Sequence, residues 1–160
     1  MICRLIMMYL VKFRMIYIGV GKQKIKFFGQ EKTIVLSIDG NEEGEFHEIQ
    51  KDAYKKFIHN MNDIMKKVED ALFDYYQEVF MDYRAIFDKK EVDRLVPIIN
   101  DKRELAKLMR PTQLIIRRVR KNGLRRVGML FDCTWEAQHG VGVKIEDEEI
   151  IEVGFQDIVL

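Results

Sequence analysis

Very little in this chain punctuates or staples it. Two prolines among 160 residues argue against a Pro-rich linker or low-complexity tail, and two cysteines, Cys3 and Cys133, argue against a disulfide framework. So few cysteines suit a reducing compartment, and a cytoplasmic location is expected. Neither sign of charge is in excess, with 27 Lys and Arg against 26 Asp and Glu. No overall pull toward nucleic acid or anionic membrane follows from that balance, although local patches remain open. Long apolar runs are missing too. Ile2 through Val20 is rich in apolar side chains, but Arg4, Lys12 and Arg14 cut it, and the piece Leu5 to Val11 is far short of the roughly 20 residues that span a bilayer. An export signal would carry its positive charge ahead of the apolar run, whereas Lys12-Phe13-Arg14-Met15 follows it. Residues 1–21 therefore read as an N-terminal extension or one or two extra strands, with Met7, Met8 and Met15 as alternative starts. Residues 22–160 read as a single domain, long enough to bury a core without disulfide or metal.

The segments Lys24-Ile25-Lys26-Phe27-Phe28 and Thr33 to Ile38 are β-branched and aromatic, and Gly29-Gln30-Glu31-Lys32 between them predicts a hairpin. Asp39-Gly40-Asn41 marks a turn. The period then changes. Ile49, Ala53, Phe57, Met61, Ile64, Val68, Leu72, Tyr75 and Val79 recur at three- or four-residue steps, which predicts an amphipathic helix of about 30 residues. Tyr54, Ile58, Met65, Tyr76, Phe80 and Tyr83 widen the stripe, as a helix lying across a sheet requires. A short helix Glu91 to Val96 ends at Pro97, and Asp101 with Glu104 forms a capping box for Lys102 to Met109, closed by Pro111. The rest reads as β: Gln113 to Arg120, a type I′ turn at Asn122-Gly123, Leu124 to Cys133, then a hairpin joining Val141–Ile145 to Ile150–Val153 through an acidic turn. Val127, Met129, Phe131 and Cys133 fall on one strand face. Strands, then helices, then strands predict an α+β fold with a mainly antiparallel sheet, one long amphipathic helix and one or two short helices between N-terminal and C-terminal hairpins.

Chemically capable side chains concentrate between Leu130 and Val143. Trp135, Glu136 and His139 occupy a short polar loop between two strands, a common place for binding residues. Two readings of this loop stand side by side: a self-supporting corner, in which Trp135 anchors a core edge and Gly140 and Gly142 allow close approach or positive φ, and a contact site. Cys133 and His139 are also the candidate nucleophile and base of a cysteine hydrolase, with Asp132 or Glu136 orienting the imidazole. Against that, Cys133 ends an apolar strand face, where a small buried thiol is ordinary packing. Cys-x5-His without a second pair lacks structural zinc spacing, and Gly19-Val20-Gly21 is not a dinucleotide loop. No metal and no cofactor are expected. His47 and His59 read as surface polar residues. The basic run Arg117, Arg118, Arg120, Lys121, Arg125 and Arg126 has no interleaved aromatic, which disfavours a nucleic-acid partner. Residues 127–160 hold eight acids against Lys144, so basic and acidic hairpins can pair across one sheet.

Phe27-Phe28-Gly29, the helical Ala71-Leu72-Phe73-Asp74-Tyr75-Tyr76 and above all Phe131-Asp132-Cys133-Thr134-Trp135-Glu136-x-x-His139-Gly140-Val141-Gly142-Val143, closing with Val153-Gly154-x-x-Asp157, resemble an uncharacterised family of small bacterial domains over roughly Lys22 to Leu160. The resemblance implies no activity. By association it implies an immunity protein against contact-delivered toxins, hence a protein partner, a cognate toxin in the most concrete version; no membrane partner is expected, on the short apolar runs. The acidic turn Glu146-Asp147-Glu148-Glu149, with Glu152 and Asp157, is the expected contact edge beside a Trp135-Glu136-His139 corner, facing a basic partner surface. The alternative function is a Cys-dependent or metal-assisted hydrolase using Cys133 and His139.

Overall fold

A computed structural model describes residues 6–11, 14–40 and 45–159. Cys3 and Asn41, and with Asn41 the end of the expected Asp39-Gly40-Asn41 turn, lie outside the described residues. The fold is α+β: a seven-stranded sheet in the order β1-β2-β3-β4-β5-β6-β7 carries helices on one face. The strands are β1 (Ile6–Val11), β2 (Arg14–Phe27), β3 (Gln30–Asp39), β4 (Met109–Ile116), β5 (Arg126–Cys133), β6 (Val141–Glu146) and β7 (Glu149–Gly154). Neighbours are antiparallel except β3 and β4, which run parallel. A parallel pair needs a long crossover. Here the connection from Asp39 to Met109 holds helices α1 (Glu48–His59), α2 (Met61–Ile86) and α3 (Val92–Leu95) and a 3-10 helix, Lys102–Lys107. The expected boundary at residues 21 and 22 falls inside β2, whose ladder to β3 runs unbroken from Ile18 to Phe27.

Alternation sets the two faces. Ile25, Phe27, Ile34, Leu36, Leu114, Ile116, Val127, Met129, Phe131, Val141, Val143 and Ile145 point to the helices and form one core with Ala53, Phe57, Ile64, Val68, Leu72 and Tyr76. The apolar stripe thus lies where its period predicts, but it belongs to two helices. They meet at Asn60, whose backbone leaves the helical region (φ −102, ψ 16). Asn hydrogen-bonds nearby backbone and tolerates helix interiors poorly, and the break re-aims each half of the stripe at a twisted sheet. His47 is the N-cap of α1: its ring accepts from the Ile49 N–H while the Gln50 side chain accepts from the His47 N–H.

Three turns differ from expectation in type. The β2–β3 turn is the two-residue Phe28-Gly29, both at positive φ (46° and 78°), rather than the four residues from Gly29 to Lys32. At Asn122-Gly123 only Gly123 has positive φ, and the Arg120 carbonyl accepts from its N–H, so the turn is not type I′ and lies within a loop from Arg117 to Arg125. The acidic turn centres on Asp147 and Glu148, both at positive φ (46° and 67°). Pro111 does not close a helix. It lies in β4, where the register to β5 shifts between Pro111 and Gln113, a position at which proline's missing N–H is tolerated. The second sheet face carries a small cluster, Ile115, Leu130 and Val159, capped by a C-terminal 3-10 helix, Gln156–Val159.

Candidate functional site

The loop after β5 is tied from several sides. The Thr134 N–H donates to the Leu108 carbonyl, and its hydroxyl donates to the Leu95 carbonyl at 2.6 Å, joining the strand end to α3 and the first 3-10 helix. Trp135 is 2% exposed and meets Tyr76 edge-on, with ring centroids 4.8 Å apart. The Tyr76 hydroxyl donates to the Pro97 carbonyl. Trp135 is therefore an internal anchor and is not available as a contact residue; its indole N–H has no partner among the described residues.

Glu136 bridges outward from that anchor. One carboxylate oxygen accepts from the Tyr83 hydroxyl at 2.9 Å, and the other accepts from the His139 N–H at 3.2 Å and lies 3.0 Å from His139 Nδ1. Burial raises the Glu136 pKa, but the hydrogen bonds from Tyr83 and His139 outweigh it and hold the carboxyl below its ordinary range. Burial and the same contact push the Tyr83 hydroxyl up. The exposed His139 ring stacks on Phe155, centroids 5.1 Å apart. The Gly140 N–H donates to the Glu136 carbonyl and closes the loop. Gly140 is required there, because its φ is +58° and a Cβ would stand 2.2 Å from Gln156 Nε2 and 2.6 Å from the Phe131 carbonyl oxygen. Gly142 serves close approach as well, though of Phe155 and Val159 rather than of the indole.

Cys133 faces the core, 7% exposed, and its thiol donates to the Glu136 carbonyl at 3.6 Å. Burial pushes that thiol up to about 12, far from the depressed value of a nucleophilic cysteine. Among the described residues no hydrogen bond joins Cys133 to His139, whose Nδ1 is bound to Glu136. Asp132 points to the other face and pairs with Arg110. The loop thus supplies neither a thiolate nor a base bonded to one. Among the described residues no group of three His, Cys, Asp or Glu side chains is placed to hold a metal ion.

The expected contact residues do not form one patch. Trp135, Glu136 and His139 precede β6, and the acidic turn follows it; six strand residues at about 3.3 Å each put the two sets at opposite ends of β6. Nor is the acidic turn free charge. Arg125 pairs with Asp147, Glu148 and Asp52, Arg126 with Glu146, and Lys67 with Glu149. The basic run is divided by the same pairing: Arg117 is held by Asp39 at 2.8 Å, which leaves Arg118, Arg120 and Lys121 on the loop. The Arg126 guanidinium, 7% exposed, donates to the Arg118 carbonyl, and burial and then neighbouring Arg120 and Arg117 lower its pKa.

Tyr83, Phe155 and Gln156 carry no local sequence signal of their place in this corner. Tyr83 reads as one more apolar stripe member, and only the tertiary fold brings its hydroxyl to Glu136. Gln156 donates to the Phe131 carbonyl, a bond that no local pattern signals.

Architecture and corner together define an α+β domain with a mainly antiparallel sheet, a single parallel crossover and a structural Trp corner. The chain belongs to the family described as Domain of unknown function (DUF6985), whose model matches residues 11–160. No curated protein and no solved structure matches it. Among the described residues no helix is long and apolar enough to cross a membrane.

Proposed function

We propose that the protein is a non-catalytic protein-binding module, with neutralisation of a toxin by an immunity protein as its most concrete form, and that it meets its partner along β7. One observation carries this reading. Ile151 is 53% exposed and Phe155 42% exposed, on and just after an edge strand that also presents Glu149 and Glu152, half-held by Lys67 and Lys144, with the exposed Asp157 beyond. Apolar anchors rimmed by carboxylates suit a basic partner surface, the anchors supplying affinity and the rim setting association rate and choice. Ile151 is extruded because the β6–β7 register shifts there: Lys144 pairs with Glu152 and Ile145 with Ile150. His139, stacked on Phe155, extends the same surface. Trp135 and Glu136 hold it from behind, and Glu146, Asp147 and Glu148 sit at its far rim with their arginines.

The test is pull-down with mass-spectrometric identification, followed by binding of the identified partner to variants. Ile151→Asp with Phe155→Asp is expected to abolish capture while Cys133→Ala retains it, and association with the parent chain is expected to slow as salt rises. Unchanged capture by the double variant, or loss of capture by a folded Cys133→Ala, overturns the reading.

A further inference from the structure

β3 and β4 are neighbours only from Val35 and Gln113 onward. Ahead of that point β3 pairs with β2 alone, through Gln30 to Ile34, and β4 with β5 alone, through Met109, Arg110 and Pro111. The two strands fork. Among the described residues no ladder pair joins Lys32 to Ile34 with Met109 to Thr112, although each segment keeps its outer neighbour. Such an edge is a template for an added strand. The β4 side is the poorer template, since Pro111 has no N–H. The open edge of β3 is the better one.

Two surface grooves flank the fork and share Arg110. One, of about 410 Å3, is lined by Lys32, Lys107, Asp132 and Thr134 among others. The other, of about 440 Å3, is lined by Lys22, Thr33, Val35 and Thr112 among others. Their charge is lopsided: Arg110 and Asp132 neutralise each other at 2.6 Å, while Lys22, Lys32 and Lys107 have no ion-pair partner among the described residues. No aromatic side chain lines either groove, so stacked nucleic-acid bases have no platform. What the fork does offer is an unpaired strand edge with cations on both sides, the complement of an extended chain bearing carboxylates.

We infer that the fork binds an extended acidic peptide segment, added as a strand along Lys32 to Ile34 with its carboxylates on Lys22, Lys32 and Lys107. This site is separate from the β7 surface and opposite to it in charge. It is tested on the whole chain by fluorescence anisotropy of a short labelled oligoglutamate peptide, whose carboxylates fall on both faces of an added strand, because Lys22 and Lys32 face opposite sides of the sheet. Saturable binding that weakens with salt is expected, with affinity reduced at least about tenfold by Lys32→Glu/Lys107→Glu and unchanged by Ile151→Asp/Phe155→Asp. Methylating every peptide amide should also abolish binding, because an added strand needs its N–H groups. Absence of saturation overturns the proposal, as does equal affinity for the Lys32→Glu/Lys107→Glu variant shown folded by circular dichroism, equal affinity of the methylated peptide, or tighter binding of a single-stranded oligonucleotide of the same charge.

Discussion

At the Cys133 end of the β5–β6 pair the connecting loop is held from inside, by a Trp135 ring seated on Tyr76, a carboxylate shared between Tyr83 and His139, and a glycine that admits no side chain. At the Arg126 end the neighbouring turns are held from outside. There Arg125 spans Asp52, Asp147 and Glu148 with side chains between a fifth and a half exposed. Both ends place unusual residues in turns, yet they store stability differently. Burying a large aromatic removes apolar area from water and leaves a cavity when it is cut away, whereas exposed ion pairs gain little over hydration and are screened by salt. Rare residue types at the first end are therefore mostly architecture, and dense charge at the second is mostly mutual neutralisation.

The sharpest way to break that comparison is to truncate each end. Trp135→Ala should cost about 3–5 kcal/mol in urea denaturation followed by circular dichroism. A loss below about 1 kcal/mol would show that the corner is not an anchor. Gly140→Ala comes next, at about 1–3 kcal/mol, since the new methyl group meets Phe131 backbone as well as the Gln156 side chain in a conformation unfavourable to L-residues. At the charged end Arg125→Ala should cost no more than about 1 kcal/mol, and the difference should shrink at high salt. If Arg125→Ala rivals Trp135→Ala, the contrast between the two ends is wrong. Replacing Glu146, Asp147, Glu148 and Glu149 together by Lys is a harsher version, because Arg125, Arg126 and Lys67 would then face like charges.

How far each end was legible in the sequence follows from the same physics. Periodicity reports burial, so spacing alone places Ala53, Phe57, Ile64, Val68 and Leu72 in the core, as alternation places Val127, Met129, Phe131 and Cys133. The capping box of Asp101 and Glu104 was readable because its partners are three residues apart. What escaped depends on contacts distant in sequence. Nothing near Tyr83 says that its hydroxyl meets Glu136, and nothing near Val35 says that its strand lies parallel to Gln113, which comes after every α-helix of the crossover. The break at Asn60 was hidden for another reason: the stripe continues in step across it, and only a backbone torsion marks the change. Likewise the acids of residues 127–160 were countable, but their arginine partners were assigned only once β5 and β6 were in register.

The smallest expected effect concerns the hydrogen bond between Tyr83 and Glu136, which links the corner to α2. Glu136 titrates below its ordinary value of 4.5 in the fold, so it favours the folded state at every pH above that value, and the gain disappears as pH falls through the lowered pKa. Tyr83 is raised above its ordinary 10.0, so its contribution is complete below that pH and is lost as pH rises beyond it. Tyr83→Phe removes one hydrogen bond that lowers Glu136 and deletes the phenol altogether. Stability measured against pH should therefore fall less steeply for the variant than for the parent chain on both arms, as pH falls below 4.5 and again as it rises above 10.0. The plateau near neutrality should differ by about 1 kcal/mol, the net worth of one hydrogen bond to a charged acceptor partly open to water. Parallel curves at both extremes would mean that Glu136 is held by His139 alone, and that the corner is tied to the sheet but not to the helix.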